Sequence, residues 1–165
     1  PILIRNKFLG YNLSFILEEF VWTETSLRYL GYPSFSEHKF VGQREVKKVE
    51  KRRRLAFTGS LMEFFRYLKS GRLDKSRYLI YDDKWNPISI IEITDNPKNP
   101  TQLCYSNTLN INYAAQMYNT HLKFNKECID LNLNGYVNPE LFEIDGTMGK
   151  FRVGDMLPYD YMPEK

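Results

Sequence analysis

The sequence predicts an α+β fold, a mixed or antiparallel sheet packed by two to three helices, and three patterns carry that prediction. Residues 61–70 have the apolar spacing of a helix, residues 77–94 suggest two strands joined by a polar turn, and residues 110–131 follow a second helical pattern. The chain of 165 residues is too short for two domains of ordinary size, so we expect residues 1–165 to form a single domain.

The helix at residues 61–70 is marked at both ends. Ser60 and Glu63 have the spacing of a capping box, in which a hydroxyl and a carboxylate satisfy backbone N–H groups of the first turn. Gly71 follows the last apolar residue, where a left-handed cap residue is expected. The apolar stripe has the i, i+3, i+4, i+7 spacing of a helix: Leu61, Phe64, Phe65 and Leu68.

A hairpin is expected directly after this helix. Residues 77–82 alternate as a strand does, and the polar residues 83–86 favour a turn. Pro87 suits the first position of a strand, and residues 88–94 are rich in β-branched side chains. Both faces of this second strand carry apolar residues, which predicts a central strand with cover on each side.

The first quarter of the chain is expected to hold a strand, a helix and a second strand. Residues 2–7 form a short candidate strand. Apolar residues between positions 13 and 30 fall on one helical stripe, and Gly31 marks its end. Residues 38–46 are interpreted as a strand.

The second half of the chain has a similar mixture. Residues 101–106 form a candidate strand, and the helical pattern at residues 110–131 follows it. Residues 141–145 and 151–153 are expected to pair as a hairpin. Residues 157–165 form a tail rich in Pro and Tyr.

Positive charge is concentrated in one segment. Residues 39–77 carry thirteen Lys and Arg against four Asp and Glu, whereas residues 127–165 carry three against eight. The densest part lies within residues 46–57, for which we expect an extended, exposed arm. Six cations fall within eight residues of that arm: Lys47, Lys48, Lys51, Arg52, Arg53 and Arg54.

This density favours the binding of a polyanion, because each neutralised phosphate releases counterions. We therefore expect a non-catalytic binding or assembly protein whose basic segment docks nucleic acid or an acidic protein surface, as part of an oligomer or larger assembly. The alternative is that the segment pairs with the acidic end of its own chain. Aromatic residues do not interleave with the cations, which argues against a stacking platform for single strands.

The acids near the hairpin suggest a second class of function, a metal-dependent nuclease. Asp82, Asp83, Glu92 and Asp95 come from neighbouring predicted strands and have the oxygen ligands that Mg²⁺ requires. The order of helix, strands and helix resembles a restriction-endonuclease-like core, whose motif is Asp followed on the next strand by Glu-x-Lys. The residue two positions after Glu92 is a threonine, so the lysine is absent and catalysis is the less favoured interpretation.

Four residues have zinc-binding side chains: His38, Cys104, His121 and Cys128. No two of them have the close spacing that preorganises a site, so neither a metal nor another cofactor is expected. The two cysteines are better explained as buried free thiols in a reducing compartment. A Cys104–Cys128 disulfide is the alternative and requires an oxidising compartment.

Composition limits the class of protein. Hydrophobic residues make up 42% and charged residues 26%, which is typical of a globular chain rather than a disordered one. The sequence has neither an apolar run long enough for a membrane span nor the pattern of a secretory leader. We therefore expect a cytoplasmic or virion-associated protein that is not secreted. Its many Asn, Lys, Tyr and Ile residues are typical of AT-rich coding sequence, which suggests a phage origin.

Overall fold

The structure is a computed structural model, which describes four ranges of the chain: 1–24, 27–114, 119–150 and 153–163. Within these ranges, nine strands in antiparallel sheets and three α-helices confirm the predicted α+β class. The chain divides into two compact units. Unit 1 comprises Pro1–Thr58 and Phe151–Lys165, and unit 2 comprises Gly59–Lys150. That the whole chain forms one domain stays a prediction.

Unit 1 contains a three-stranded antiparallel sheet in the order β1–β2–β3. The strands are β1 (Ile2–Asn6), β2 (Tyr11–Trp22) and β3 (Leu27–Glu37). The strand predicted at residues 2–7 is confirmed, whereas the helix predicted between residues 13 and 30 is wrong.

A β-bulge explains why this part of the sequence has a helical pattern. Tyr11, Leu13 and Phe15 alternate with polar residues and are buried on one face of β2. The pairing of β2 with β3 then shifts between Leu17 and Glu19. Because the shift inserts one residue into the two-residue period of the strand, apolar residues on its two sides fall three or four apart, the spacing of a helix.

The basic segment is a helix, α1 (Gln43–Phe57), so the extended arm predicted at residues 46–57 is wrong. The strand predicted at residues 38–46 is also wrong, because residues 38–42 are irregular and the remainder belongs to α1. The buried side of α1 has the four-residue spacing of a helix: Val49, Arg53 and Phe57. Because the middle position is a charged residue, the apolar period of the helix is interrupted and the segment has the pattern of a strand.

The described part of the C-terminal tail packs within unit 1. Leu157 and Tyr161 are buried, and the Tyr161 ring meets the Phe57 ring edge-on at a centroid distance of 5.9 Å. The strand predicted at residues 151–153 does not form at Val153, which begins a 3-10 turn, and its first two residues lie outside the described ranges.

Unit 2 packs the helix α2 (Leu61–Lys69) against a four-stranded antiparallel sheet in the order β4–β6–β7–β9, and a separate pair of strands joins β5 to β8. The strands of this unit are β4 (Tyr78–Tyr81), β5 (Gln102–Cys104), β6 (Thr108–Tyr113), β7 (Thr120–Phe124), β8 (Cys128–Asp130) and β9 (Phe142–Gly146). The helix predicted at residues 61–70 is thus confirmed, as are the strands predicted at residues 77–82, 101–106 and 141–145.

Two predictions for unit 2 are wrong. The helical pattern at residues 110–131 covers β6, β7 and β8, while its middle, residues 115–118, lies outside the described ranges. The second hairpin strand pairs only as far as Ile88, whose N–H donates to the Ile80 carbonyl at 2.9 Å. The chain then forms a single helical turn, α3 (Ile90–Ile93).

The short helix α3 begins with a capping box, and its Ser-x-x-Glu pattern is present in the sequence as Ser89 and Glu92. Glu92 accepts hydrogen bonds from both the N–H and the hydroxyl of Ser89, at 2.7 and 2.8 Å. Ser-x-x-Glu is the pattern that predicts α2, and here it outweighs the β-branched composition of residues 88–94.

The core of unit 2 lies between α2 and one face of the sheet. Phe64, Phe65 and Leu68 from α2 are almost completely buried, and Phe64 meets the Tyr78 ring of β4 edge-on at 5.4 Å. Burial of each such side chain stabilises the fold by about 1.5–3 kcal/mol. In the part of the chain that the structure describes, no helix has the length and apolar character needed to cross a membrane.

The expected free thiols are wrong, because Cys104 and Cys128 form a disulfide. The two cysteines lie directly opposite each other where β5 pairs with β8, and their Cα atoms are 4.0 Å apart. This is the alternative that requires an oxidising compartment. The expected cytoplasmic or virion-associated location stays a prediction.

Replacing Ser60 by alanine tests the cap of α2. The Ser60 hydroxyl accepts from the Glu63 N–H at 3.2 Å, so its removal should lower the free energy of unfolding by about 1 kcal/mol in urea denaturation. Ser70→Ala is the control, because that exposed hydroxyl only donates to the Tyr67 carbonyl at the end of the helix. Equal losses in the two variants would contradict the role of the cap.

Removing the disulfide tests its contribution to stability. The bond closes a loop with a sequence separation of 24, for which loop-closure entropy is worth about 3 kcal/mol. The double variant Cys104→Ala, Cys128→Ala should unfold at correspondingly lower urea concentration. A reductant should destabilise the wild-type protein by a similar amount and leave the double variant unchanged. A wild-type protein insensitive to reductant would contradict this prediction.

Candidate polyanion-binding site

Arg53 holds α1 to the rest of unit 1 and is only 5% exposed. Its Nε donates to the Leu9 carbonyl at 2.8 Å, and its Nη1 donates to carboxylate oxygens of Glu37 and Glu50, both at 2.8 Å. The guanidinium carbon lies 3.9 Å from the centroid of the Tyr11 ring. Since two carboxylates and a carbonyl occupy this guanidinium, the predicted binding residue Arg53 has a structural role instead.

The ring beneath Arg53 stays neutral. Burial raises the pKa of Tyr11 to about 12, although the nearby Arg53 charge lowers it. A neutral Tyr11 offers the face of its ring to the guanidinium, and the ion pairs hold the charge in place.

Arg52 is held more loosely on the edge of the same helix. It is half-buried, and its guanidinium carbon lies 4.7 Å from the centroid of the Phe8 ring. One Nη donates to the Phe8 carbonyl at 3.4 Å. Arg52 is therefore only partly accessible to a ligand.

The remaining cations form a stripe on the exposed side of α1, opposite its buried side. The predicted residues Lys47, Lys48, Lys51 and Arg54 are exposed, and Arg44 extends the stripe by one turn. We call this set the basic stripe: Arg44, Lys47, Lys48, Lys51 and Arg54. The sequence prediction missed Arg44 because a helical spacing of i, i+3, i+4, i+7 becomes visible only once the segment is known to be a helix.

The basic stripe has little internal neutralisation. Among the residues that the structure describes, none of its five cations takes part in an ion pair. Glu50, an acid of the same helix, pairs with the buried Arg53 instead. A helix rises 1.5 Å per residue, so the stripe extends over about 15 Å. Measured along the axis of a duplex, that length covers about four base-pair steps, each of which carries one phosphate per strand.

The acids near the β4 turn hold local structure. Asp82 accepts from the Lys84 N–H at 2.8 Å and from the Asn86 N–H at 2.7 Å, and its second oxygen accepts from the Asn86 side chain at 2.8 Å. These hydrogen bonds, led by that of the Asn86 side chain, lower the pKa of Asp82. Asp83 is exposed in the same turn.

Glu92 and Asp95 are likewise engaged close to their own positions in the chain. The hydrogen bonds of Ser89 lower the pKa of Glu92. Asp95 accepts from the hydroxyl of Thr101 and, at 2.9 Å each, from the N–H groups of Thr101 and Gln102, and these bonds lower its pKa. Across the described ranges, no group of three or more His, Cys, Asp or Glu side chains is arranged to hold a metal ion.

The four predicted zinc ligands do not come together as a set. Both cysteines are joined in the disulfide. In unit 1, the Nε2 of His38 lies 2.7 Å from the Oδ1 of Asn12. In unit 2, the Nδ1 of His121 lies 2.5 Å from the Oδ1 of Asn110.

Asn110 fixes the tautomer of His121. The Asn110 side chain is 4% exposed, and its Nδ2 donates to the Asp82 carbonyl at 2.5 Å. Because that carbonyl is only an acceptor, the Oδ1 of Asn110 must face His121 and accept from its Nδ1–H. Tyr81, Asn110, His121 and Asp145 are successive partners across the four-stranded sheet. This polar row was not predicted, because it depends on strand register.

Comparisons of the chain with protein-family models, with curated proteins and with solved structures find no match. The basic stripe and the polar row therefore rest on geometry alone.

Magnesium ions test the role of the turn acids. Because Asp82 and Glu92 already accept hydrogen bonds from neighbouring backbone groups, millimolar Mg²⁺ should leave the thermal unfolding midpoint unchanged. Glu92→Gln should lower the midpoint equally with and without Mg²⁺, since it weakens the cap of α3. A rise in the wild-type midpoint with Mg²⁺ that Glu92→Gln abolishes would contradict this interpretation and favour the nuclease alternative.

Proposed function

We propose that this chain is a non-catalytic binding protein that docks on the phosphate backbone of nucleic acid through the basic stripe of α1. One observation carries the proposal: five Lys and Arg side chains share one exposed helix face, and no ion pair neutralises them within the described ranges. Each phosphate that such a stripe neutralises releases condensed counterions from the nucleic acid, and this release favours binding.

The way α1 is held strengthens this proposal. Arg53, Val49 and Phe57 are buried on the opposite side of the helix, so the stripe keeps its spacing before any ligand arrives. A preorganised surface loses less conformational entropy on binding than a flexible arm with the same charge. Lys and Arg dominate the stripe, which favours contacts to phosphates over reading of base edges. We therefore expect affinity to depend more on salt than on sequence.

A quadruple variant of exposed stripe residues tests the proposal: Lys47→Ala, Lys48→Ala, Lys51→Ala and Arg54→Ala. Arg53 is retained, because its removal would leave Glu37 and Glu50 without their partner. The matched control removes four other exposed lysines with the same change in net charge: Lys7→Ala, Lys39→Ala, Lys98→Ala and Lys126→Ala.

Filter binding to duplex DNA, single-stranded DNA and duplex RNA over a series of salt concentrations gives the readout. The stripe variant should weaken binding similarly for all sequences of one duplex. It should also flatten the slope of log K against log salt by about 0.7–0.9 for each phosphate that is no longer neutralised, or about 3 in total. The control variant should keep a slope close to that of the wild-type protein.

Two outcomes would overturn the proposal. A wild-type protein that binds none of these nucleic acids at low salt has no phosphate-binding stripe, and an acidic protein surface would then be the better ligand class. A control variant that loses as much affinity as the stripe variant would show that net charge, rather than α1, governs binding. Unfolding curves of both variants should match the wild-type curve, because exposed charges contribute little to stability.

A further inference from the structure

The hairpin of β2 and β3 has an apolar face that continues from the interior of unit 1 into solvent. Near the base, Tyr11, Leu13 and Phe15 are buried on this face. Farther out, the same face carries five apolar residues that we call the distal face: Leu17, Phe20, Trp22, Leu27 and Tyr29.

The β-bulge places the distal face on one side of the hairpin. Leu17 pairs with Gly31, and after the shift at the bulge Phe20 pairs with Tyr29 and Trp22 with Leu27. Without the shift, Phe20 and Trp22 would point to the side opposite Leu17, because side chains alternate along a strand. The bulge therefore keeps the large apolar side chains together.

The distal face is a continuous apolar patch, and most of its side chains are exposed. Trp22 is 79% exposed, Leu27 59%, Phe20 57% and Leu17 40%. With about 150–250 Å² for each large aromatic side chain, this amounts to on the order of 500 Å² of accessible surface. An apolar patch of this size is comparable to the largest patch on a typical monomeric protein, and such patches are often functional.

The backbone of the distal hairpin also lacks cover. β1 pairs with β2 only from Tyr11 to Phe15, so beyond Phe15 the described hairpin is a two-stranded ribbon. An isolated two-stranded ribbon is only marginally stable in water, and a third layer or strand is needed to stabilise it.

We propose that a second copy of this chain covers the distal face, with the two hairpins stacked face to face about a two-fold axis. In such a contact the same patch faces itself, so an apolar patch meets an apolar patch and charges of one sign in the patch would be brought together. The five residues of the distal face are uncharged, and Glu19 pairs with Leu30 on the other side of the ribbon. Glu18 at the bulge and Glu24 after β2 border this face, and so does Asp155, because burial and the Asp155 charge together raise the pKa of Tyr29.

The area is also sufficient. Two distal faces together bury about 1,000 Å², the lower bound for a specific interface between proteins. Stacked sheets pack about 10 Å apart, a distance that the Phe20 and Trp22 side chains fill. The interface goes beyond the proposed nucleic-acid function and does not depend on it, because no residue of the basic stripe belongs to the distal face.

Trp22 supplies a direct readout of this interface. The chain has two tryptophans, so Trp85→Phe leaves Trp22 as the only one. Sedimentation of this variant over a concentration series, after nuclease treatment and in about 0.5 M salt to screen charge interactions, should show a monomer–dimer equilibrium. The emission of Trp22 should shift to shorter wavelength as the dimer forms.

The disrupting variant adds Phe20→Asp and Leu27→Asp to this background. It should stay monomeric at every concentration and keep the long-wavelength emission of an exposed indole. The matched control adds Val41→Asp and Leu133→Asp instead, at positions that are 91% and 83% exposed and lie outside the distal face. The control should associate as its parent does.

A parent protein that remains monomeric up to about 1 mM would overturn the proposal, because even a weak interface at the lower bound of specific size should be partly populated at that concentration. So would association that persists in the disrupting variant. A monomer whose Trp22 emission shifts only on addition of phosphatidylcholine vesicles would assign the distal face to a lipid surface instead. The concentration series of the parent protein decides the question even if the disrupting variant fails to fold.

Discussion

The architecture of unit 1 depends on the neutralisation of one buried cation. Arg53 reaches from α1 to the Leu9 carbonyl in the turn after β1 and to Glu37 at the end of β3, so a single guanidinium ties the helix to the end of the sheet where that turn and the end of β3 meet. A buried charge without partners would cost several kcal/mol, and the two carboxylates together with the Tyr11 ring remove that cost. The same interactions turn the opposite side of α1, with its basic stripe, toward solvent.

Helix starts whose capping residues lie within a few positions of each other can be predicted from the sequence alone. The Ser60 hydroxyl caps α2 as its spacing to Glu63 predicts. The Glu63 carboxylate accepts from the N–H of Gly59 at 2.7 Å, rather than from that of Ser60 as in a capping box, and from the Tyr78 hydroxyl at 2.9 Å. Burial and the nearby Glu63 charge raise the pKa of Tyr78, which keeps this hydroxyl a donor. Ser89 and Glu92 have the same capping pattern, but the β-branched composition of residues 88–94 predicts a strand, and the two signals conflict in this segment.

Other elements could not be predicted from the sequence, because they depend on pairing between residues that are far apart in the chain. The bulge at Glu18 has no signature of its own in a single sequence, and it changes a two-residue period into one that resembles a helix. The disulfide requires β5 and β8 to pair with Cys104 opposite Cys128, which depends on register across a sequence separation of 24. The polar row at His121 has the same origin. Charge density alone could find the basic segment, but only burial could separate Arg53, which stabilises the fold, from neighbours such as Lys51 that remain exposed.

Unit 1 thus presents two surfaces whose interactions should depend on salt concentration in opposite ways. The basic stripe of α1 attracts anions through charge, so its interactions weaken as ions screen them. The distal face of the hairpin is uncharged, so its association depends on the removal of apolar surface from water and persists at high salt. If both interfaces form, each dimer carries two basic stripes, and when both reach the same nucleic acid the second binds at a high effective concentration. The slope of affinity against salt would then approach twice that of a monomer, because both stripes release counterions in one binding event.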